Sequence, residues 1–402
     1  MSEWKTNIYC LTDLGSVKRG RSRHRPRDDK SLYGGAYPFI QTGDVKSANF
    51  YLTDYSQTYN EKGLQQSKLW SKGILCITIA ANIAETAILG IEACFPDSIV
   101  GFTPYQNMAD VRYIKYYFDI FKKQMQAMSQ GATQDNFSVE KMLKVKFIIP
   151  ELPTQQKIAD ILSAYDDLIE NNNRRIELLE QAAQQLYKEW FVRFRFPGYE
   201  TAHFTKGIPD GCEVKRLYDF GRIETGKTPS TTDNENYGGE IMFIKTPDMH
   251  GQAYVIETNE YLTEKGHNTQ PKKLLPKDSI SVSCIGTGGV VAINAEPAHT
   301  NQQINSIIIK DKKHLEWLYF TAKSLKETIE LFGATGATMT NLSKGKFENL
   351  KVICPPNALL YKFHERTFEM LQSIRNLMFQ NQNLIKQRDL LLPRLMSGKL
   401  EA

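Results

Sequence analysis

Two long stretches of the chain carry apolar residues at helical spacing. Each follows a short strand-like run, ending at Pro150 in the first case and at Pro355 in the second. Apolar steps of three and four residues predict one buried face along an α-helix. No glycine or proline interrupts the two patterns before Pro197 and Pro393, so each helix is predicted to span roughly 35 residues, or about 50 Å. The apolar positions are Ile158, Ile161, Tyr165, Leu168, Ile176, Leu179, Ala183, Leu186 and Trp190, and then Phe363, Leu371, Ile374, Met378, Leu384, Ile385, Leu391 and Leu395.

The chain also contains an internal repeat. Segment 33–44 matches segment 237–248 in seven of twelve residues, at an offset of 204. Further landmarks recur in the same order, namely 11–15 with 217–221, 61–63 with 264–266, 131–133 with 336–338, and the two strands that end in proline. Matches in register at so many places predict a tandem duplication of about half the chain.

A helix of this length with an apolar face needs a partner helix, and its own duplicate is the obvious choice. Two equivalent modules related by a pseudo-twofold axis would pair the helices antiparallel. Asn172 lies near an interior position of the first helix, and Asn381 takes the corresponding place in the second. Buried asparagines fix register in such pairs, whereas two solvated asparagines at the edges of the contact are the alternative.

Composition narrows the class of protein. Of 402 residues, 41% are hydrophobic and 24% are charged, and the net charge is +5, which is typical of a globular protein with a weak preference for nucleic acid. The six cysteines include no close pair, so a disulfide framework or a thiolate zinc site is not expected. Without an apolar segment suited to a signal peptide or a membrane span, a cytoplasmic location is predicted.

Several enzyme motifs match the sequence by their letters but lack the secondary structure or the spacing that the chemistry requires. Segment 221–228 has the letters of a phosphate-binding loop, but the proline and polar residues after it predict a loop instead of the required helix. Segment 279–289 predicts a strand and a hairpin turn, and Asp210, Glu213 and Lys215 lie too close together for a nuclease site. The histidines lack metal-ligand spacing. We therefore predict no catalytic residue, no cofactor and no metal site.

Three regions are candidates for nucleic-acid contact. The first is the basic run 18–27, since arginines neutralise phosphate and bind guanine in a bidentate manner. The second follows the repeated strand, and the third is loop 131–136 with its counterpart 336–341. A solvated basic loop is the alternative for the first region, and an ordinary strand end is the alternative for the second. The candidate residues are Arg19, Arg21, Arg23, Arg25 and Arg27, with Lys227 and Thr228 in the duplicate of that run; Gln41, Thr42, Lys245 and Thr246 after the strands; and Gln134, Thr338 and Asn341 in the third region.

Three segments resemble a known family, the DNA specificity (S) subunits of type I restriction-modification systems. Segment 149–162 (IPELPTQQKIADIL) is similar to the start of their central conserved helix, and segment 391–400 (LLPRLMSGKL) is similar to the end of their C-terminal conserved region. Segment 207–211 resembles the entry to their second target recognition domain. One departure is the second helix start, where Leu360 and Tyr361 stand opposite Gln155 and Gln156.

The resemblance implies an α+β fold, with two mixed α/β target recognition domains separated by a pair of long antiparallel coiled-coil helices. The implied boundaries are 1–152 for the first recognition domain, 153–197 for the central conserved helix, 198–356 for the second recognition domain and 357–402 for the C-terminal conserved helix.

The resemblance further implies a non-catalytic subunit. It would read a bipartite site in double-stranded DNA and dock two methyltransferase (M) subunits, and restriction (R) subunits would join that core. Alternatives are an S-like subunit of a fused methyltransferase-nuclease, or a helical adaptor that binds only protein.

Overall fold

The computed structural model describes residues 5–129, 139–334 and 340–402. The contacts divide the chain into two compact units. Unit 1 comprises Met1–Glu170 and Asn383–Ala402, and unit 2 comprises Asn171–Gln382. Within the described ranges, no helix combines the length and the apolar character needed to cross a membrane.

Unit 1 begins with a mixed α/β part. Its strands are β1 (Thr6–Tyr9), β2 (Gly15–Arg19), β3 (Tyr33–Phe39), β4 (Tyr51–Leu52), β5 (Gln57–Tyr59), β6 (Leu69–Trp70), β7 (Leu75–Thr78), β8 (Thr86–Leu89), β9 (Ala93–Cys94), β10 (Ile99–Pro104) and β11 (Phe147–Pro150). Its helices are α1 (Leu11–Leu14), α2 (Thr42–Ser47), α3 (Glu61–Gln66), α4 (Val111–Ser129) and α5 (Val139–Lys144).

The main sheet of unit 1 has the strand order β2-β10-β7-β8-β4. The first three pairs are antiparallel and the last is parallel. Every residue of β7 and β8 is buried, which explains why their sequences are apolar apart from Thr78 and Thr86 and do not alternate. A second sheet has the order β5-β3-β9-β6, and β1 pairs with β11.

The long helix α6 (Leu152–Tyr187) starts directly after β11. Pro153 is its second residue, where the missing N–H costs no helical hydrogen bond. Ile158, Ala159 and Leu162 lie in the same apolar core as the main sheet of unit 1, and so does Leu395 from the end of the last helix.

Unit 2 contains a second α/β part. Its strands are β12 (Phe204–Thr205), β13 (Ile208–Pro209), β14 (Glu213–Arg216), β15 (Gly221–Thr225), β16 (Tyr237–Ile244), β17 (Tyr254–Val255), β18 (Tyr261–Leu262), β19 (Ile280–Ser283), β20 (Ile285–Gly286), β21 (Val291–Asn294), β22 (Ala298–Thr300), β23 (Ile304–Ile309), β24 (Thr340–Asn341) and β25 (Lys351–Cys354). Its helices are α7 (Leu217–Phe220), α8 (Glu264–Asn268), α9 (Leu315–Ser324), α10 (Lys326–Gly333) and α11 (Lys344–Glu348), followed by the long α12 (Asn357–Met396).

The main sheet of unit 2 has the order β15-β23-β19-β21-β17. Again the first three pairs are antiparallel and the last is parallel. A smaller sheet has the order β18-β16-β22, and β14 pairs with β25. Strand for strand, this main sheet has the order and directions found in unit 1.

The two long helices have the predicted lengths, with 36 residues in α6 and 40 in α12. A π-helical turn, Lys188–Val192, closes the first. The second continues through Pro393, and the predicted apolar face likewise extends past this proline to Leu395. A proline in the last turn removes one hydrogen bond, and the carbonyl of Pro393 still accepts from Ser397 N at 3.2 Å.

Within unit 2, α6 and α12 contact each other along their length. Asn172 meets Asn381, and Trp190 packs 5.8 Å from Phe363 between ring centroids. Because residue numbers rise along one helix as they fall along the other, these two segments run antiparallel.

The Tyr-Gly-Gly landmark has the same backbone role in each unit. Gly34 and Gly238 have φ of 82° and 87°, a region that favours glycine. A Cβ on the next residue, Gly35 or Gly239, would lie 2.3 Å from Asn60 Cα or 2.4 Å from Leu262 O. The Tyr-Gly-Gly repeat therefore builds one bulged strand twice.

Candidate nucleic-acid interface

The basic run of unit 1 leaves the main sheet at the end of β2 and forms a loop that is anchored from behind. Gln66 Oε1 accepts hydrogen bonds from the backbone N–H groups of Arg23 (2.7 Å) and His24 (3.1 Å). Ser67 Oγ donates to Arg21 O at 2.7 Å. The loop thus has a defined conformation, although its sequence is rich in polar residues.

The five arginines of this loop differ in their contacts. Arg21 donates to Ser67 O, and Arg25 Nη1 donates to Ser22 O and His24 O, each at 2.8 Å. Arg27 forms a bidentate pair with Asp97, at 2.7 and 2.9 Å. Arg19 and Arg23 are exposed, and their guanidinium groups have no hydrogen bond or ion pair among the residues that the structure describes. These two are the arginines free to contact a ligand.

The loop has a positive local environment. Burial lowers the pKa of Lys68, and the charges of Lys18 and Arg21 lower it further. Cations that disfavour one another in this way attract a polyanion. Carboxylates lie there too. Hydrogen bonds from Ser31 lower the pKa of Asp29 to about 2, and its carboxylate lies 2.8 Å from His24 Nε2.

Two of the predicted regions meet at one concave surface in unit 1, with a volume of about 570 Å³. Aromatic residues form part of its wall, and the rings of Phe39 and Tyr59 stack with their centroids 4.0 Å apart. Arg27 belongs to the first region, and Gln41 and Thr42 belong to the second. The lining residues are Ser22, Arg27, Asp28, Lys30, Tyr33, Phe39, Gln41, Thr42, Gln57, Tyr59, Pro96 and Ser98.

Gln41 lies at the start of α2. Its backbone N–H donates to Asp44 Oδ2 at 2.7 Å, and its side-chain amide donates to Gln57 Oε1 at 2.7 Å. The repeated aspartate therefore caps the N-terminus of a helix. In unit 2 the backbone N–H of the equivalent Lys245 donates to Asp248 Oδ2 at 2.8 Å. What varies between the units is the side chain before the helix.

In unit 2 the counterpart loop starts at Gly226, where a Cβ would lie 2.1 Å from Asn301 O. Lys227 is exposed and Thr228 donates to Gln302. The residues that resembled a phosphate-binding loop are strand β15 and this turn, and the next helical residues are a 3₁₀ turn at Asn234–Asn236.

The remaining candidates of unit 2 differ in their exposure and in their contacts. Lys245 forms an ion pair with Glu260. Thr246 is only 7% exposed, so its hydroxyl is not on the surface. Asn341 is exposed in β24, opposite Ile285 of β20. Gln134 and Thr338 lie outside the described residues.

The asparagines predicted to set helix register are both buried, at 1% exposure for Asn172 and 7% for Asn381. Asn172 Nδ2 donates to Asn381 Oδ1 at 2.8 Å and to Gln380 Oε1 at 3.1 Å, and Asn381 Nδ2 donates to Asn173 Oδ1 at 2.7 Å.

Sequence reasoning missed a buried polar cluster in unit 1. Asp166 of α6 is 3% exposed and accepts hydrogen bonds from Tyr116 and Arg388. Burial raises the pKa of Asp166, while these two partners oppose the shift. An aspartate within the apolar stripe of α6, and an arginine within that of α12, were the available signals.

The difference between the two helix starts, with Gln155 in the first and Leu360 in the second, also has a structural basis. Its side chain is 1% exposed, accepts from Asp110 N at 3.1 Å, and donates to Met108 O and Pro150 O. The second helix uses another solution, in which Leu360 is buried and the hydroxyl of Tyr361 donates to Asp311 at 2.9 Å.

Comparison with known proteins gave consistent results. The family model described as the type I restriction modification DNA specificity domain matches residues 1–181 and 209–385. The chain is 30% identical to the type I restriction enzyme HindI specificity subunit of Haemophilus influenzae, over 100% of both chains. It is 27% identical to the MjaIX specificity subunit of Methanocaldococcus jannaschii, over 98% of this chain and 93% of that protein.

Among solved structures, the chain is similar to a type I restriction-modification system S subunit from M. genitalium. The TM-score is 0.62 at 15% identity, and the match covers 98% of this chain and 97% of the other. This is a likeness of fold.

Proposed function

This chain belongs to the type I restriction-modification DNA specificity family, and on that premise we propose that it reads a bipartite site in double-stranded DNA through two separate recognition domains. The sequence recognition comes from this subunit. Methylation and cleavage would come from methyltransferase and restriction subunits bound to it.

The observation that carries the proposal is the equivalence of the two main sheets. Each unit has the same five-stranded order, and each sheet is followed by a short strand, a proline at its end or directly after it (Pro150 and Pro355), and a long helix. This supports a tandem duplication with pseudo-twofold symmetry and an antiparallel coiled-coil pair of α6 and α12. The proposed domains are 1–152 and 198–356 for recognition, with 153–197 and 357–402 as the conserved helices.

Different side chains on equivalent frames suit two different half-sites. In unit 1, exposed Arg19 and Arg23 contact phosphate, while Arg27, Gln41 and Thr42 line the concave surface that faces base edges. In unit 2, Lys227 and Lys245 take the corresponding places, and the exposed amide of Asn341 in β24 is a further candidate for DNA contact. Asn172 and Asn381 hold the register of the helices, so the separation of the half-sites is fixed.

Two copies of the methyltransferase subunit would dock, one for each half of the duplicated chain. Exposed apolar residues on both long helices, including Leu178 at 48% and Leu390 at 63%, support protein partners along the helices. Restriction subunits would join the complex formed by this chain and the two methyltransferase subunits.

The test is co-expression with a methyltransferase subunit of a type I system from the same host, followed by mapping of methylated bases in the host DNA. We expect one bipartite motif with a constant spacer. Methylation without such a motif would overturn the proposal in favour of a protein-only adaptor, and a partner that both methylates and cleaves in one polypeptide would indicate the fused system.

The same complex allows a sharper measurement on the arginine loop. Changing Arg19 and Arg23 together to alanine should reduce the slope of log affinity against log salt by roughly 2, close to one unit for each lost phosphate contact. A matched control changes Lys144 and Lys146, which are exposed elsewhere in unit 1, and should leave the slope unchanged.

A further inference from the structure

Each unit contains a two-stranded antiparallel ribbon whose outer face carries an apolar pair. In unit 1 the ribbon consists of β1 and β11, and Ile8 stands opposite Ile148. In unit 2 it consists of β14 and β25, and Val214 stands opposite Ile353. All four side chains are exposed, at 65% and 57% in unit 1 and at 63% and 40% in unit 2. We name these two surfaces the ribbon patches.

The two ribbon patches occupy equivalent positions in the duplicated chain. Ile148 and Ile353 each lie two residues before the proline that precedes a long helix (150 − 148 and 355 − 353). Ile8 and Val214 each lie three residues before the first residue of a short helix, α1 or α7 (11 − 8 and 217 − 214). Strand register and sequence position therefore agree that one outward-facing apolar pair is present twice.

The inner face of each ribbon accounts for its packing. Alternate residues of a strand point to opposite faces. Phe147 and Ile149 belong to the apolar core of unit 1, and Val352 and Cys354 belong to that of unit 2. The outer face of such an antiparallel pair is normally polar, because water covers it. The outer pair lies outside both cores, so the fold of the ribbon does not require it to be apolar.

Single exposed apolar residues are common on protein surfaces, but a repeated pair is a stronger signal. Among the large apolar residues exposed in the part of the chain that the structure describes, the four residues of the ribbon patches are the ones that recur at equivalent positions. Their neighbours differ between the units. Asn7 corresponds to Glu213, and Tyr9 corresponds to Lys215. The pair has kept its apolar character on a surface whose other side chains vary.

A lysine flanks the apolar pair in both units. Lys146 and Lys351 each precede the isoleucine of the ribbon patch by two residues (148 − 146 and 353 − 351), so they lie on the same outer face. Both lysines are exposed, and neither forms an ion pair with a residue that the structure describes. Lys146 Nζ donates a hydrogen bond to Cys10 Sγ at 3.4 Å. A cation without a counter-ion beside an apolar pair is complementary to a carboxylate beside apolar side chains.

We propose that each ribbon patch binds the same surface of one methyltransferase subunit, and that this surface presents apolar side chains next to a carboxylate. The proposal rests on the proposed function, in which two methyltransferase subunits join the duplicated chain. Two equivalent patches suit two identical copies of one partner, because identical copies carry identical surfaces. Exposed apolar pairs of this kind mark protein contacts.

The decisive experiment changes one ribbon patch at a time in the full-length chain, co-expressed with a methyltransferase subunit of a type I system from the same host. Ile8→Thr with Ile148→Thr removes the apolar pair of unit 1, and Val214→Thr with Ile353→Thr removes that of unit 2. Threonine is β-branched and keeps the strand propensity of the ribbon. Native mass spectrometry over a range of concentrations counts the subunits in each complex.

The unaltered chain should hold two methyltransferase subunits. Each double variant should bind one of them roughly 100-fold more weakly, at about tenfold for each apolar side chain that the contact buries. One subunit should then remain at concentrations where the unaltered chain holds two. Two subunits bound with unaltered affinity in both double variants would overturn the proposal. A complex that contains two copies of this chain, and loses one copy when a patch is changed, would overturn it in favour of self-association.

The matched control changes two exposed apolar residues of unit 1 that have no exposed apolar counterpart in unit 2. Tyr55→Thr with Leu69→Thr removes side chains exposed at 46% and 37% and should leave both subunits bound. An equal loss of binding in this control contradicts a specific role of the ribbon patches. The melting temperature of every variant should stay within about 2 °C of the unaltered chain, because substitutions on the surface change stability little.

The two lysines give a second measurement. Lys146→Glu and Lys351→Glu, each tested alone, should slow association at their own patch by roughly fivefold at low salt, because charges at the rim of an interface act mainly on the association rate. High salt should remove this difference. Lys146 is not part of the arginine loop, so the salt dependence of DNA affinity in the assembled complex should stay the same. An association rate that neither reversal changes contradicts an acidic partner surface.

Methylation mapping separates this inference from the proposed function. A bipartite motif, together with two subunits bound in both double variants, would overturn the role of the ribbon patches and leave the proposed function standing. Binding of two subunits that depends on the patches, without any bipartite motif, would overturn the proposed function while the docking surfaces stand.

Discussion

The two main sheets have one strand order, yet unit 1 and unit 2 hold their long helices by different forces. In unit 1, α6 packs on the apolar core, and hydrogen bonds and ion pairs are added through Gln155, Arg112 and the Asp166 cluster. In unit 2, an aromatic cluster joins the helices to the α/β part. Tyr187, Trp190 and Phe191 surround Phe363 of α12, and Tyr187 and Phe191 also contact Phe320 and Trp317 of α9. The same backbone arrangement is therefore stable with either chemistry.

The difference shows which residues a duplicated fold must keep. Glycines that prevent backbone clashes recur in both units, as do the aspartates that close helix starts, Asp44 and Asp248. Side chains that contact another element or solvent have changed, because a compensating change in the partner restores the fit. Backbone geometry offers no such compensation.

The largest effect should come from the aromatic cluster. Phe363 is fully buried and its ring lies 5.0 Å from that of Phe191. Phe363→Ala should reduce the free energy of unfolding by about 4 kcal/mol, since it leaves a cavity among rigid rings. Calorimetry of the full chain measures this as a lower transition temperature for unit 2. Phe368→Ala, at a position 37% exposed on the same helix, is the control, and an equal loss for both variants would refute the distinction.

The polar contact of unit 1 should give the next largest effect. Arg388→Met removes the guanidinium that neutralises Asp166 and should cost about 3 kcal/mol at neutral pH, because a buried carboxylate is left with only Tyr116. Replacing the exposed Arg394 of the same helix by methionine should cost little.

The loss caused by Arg388→Met should also depend on pH. The pKa of Asp166 is already raised above its ordinary value of 3.8, and removal of the arginine raises it further. A raised pKa means that the folded state binds the proton more tightly than the unfolded state. The deficit should therefore shrink as pH falls through the raised pKa toward 3.8, and denaturant unfolding at two pH values measures it. A deficit that grows on acidification contradicts this account.

The sequence predicted the elements better than their contacts. Apolar periodicity placed both long helices, because burying one helix face requires steps of three and four residues. It also placed the hairpin of β19 and β21. It also extended the second helix past Pro393 to Leu395, and α12 runs through that proline to Met396.

The side-chain environment of the basic loop could not be predicted. Arg27 is engaged by Asp97, which is 70 positions away in the chain, and Arg21 is engaged by Ser67. Only the folded sheet brings these groups together, so sequence alone could not separate Arg19 and Arg23 from the other three. The burial of Thr246 has the same origin, because it depends on how the strand end packs.

The smallest predicted effect concerns the glycines of the two Tyr-Gly-Gly strands. Gly34→Ala and Gly238→Ala should each cost about 1 kcal/mol, because both glycines have positive φ and a side chain there is strained. No atom lies within 4 Å of the added methyl group in either unit, so the cost comes from the backbone alone and should be equal in the two units. Gly43→Ala, within α2 and likewise without a close neighbour, is the control and should be neutral or slightly stabilising. Calorimetry that found a clear loss in one unit and none in the other would show that the two Tyr-Gly-Gly strands are not equivalent, although their sequences match.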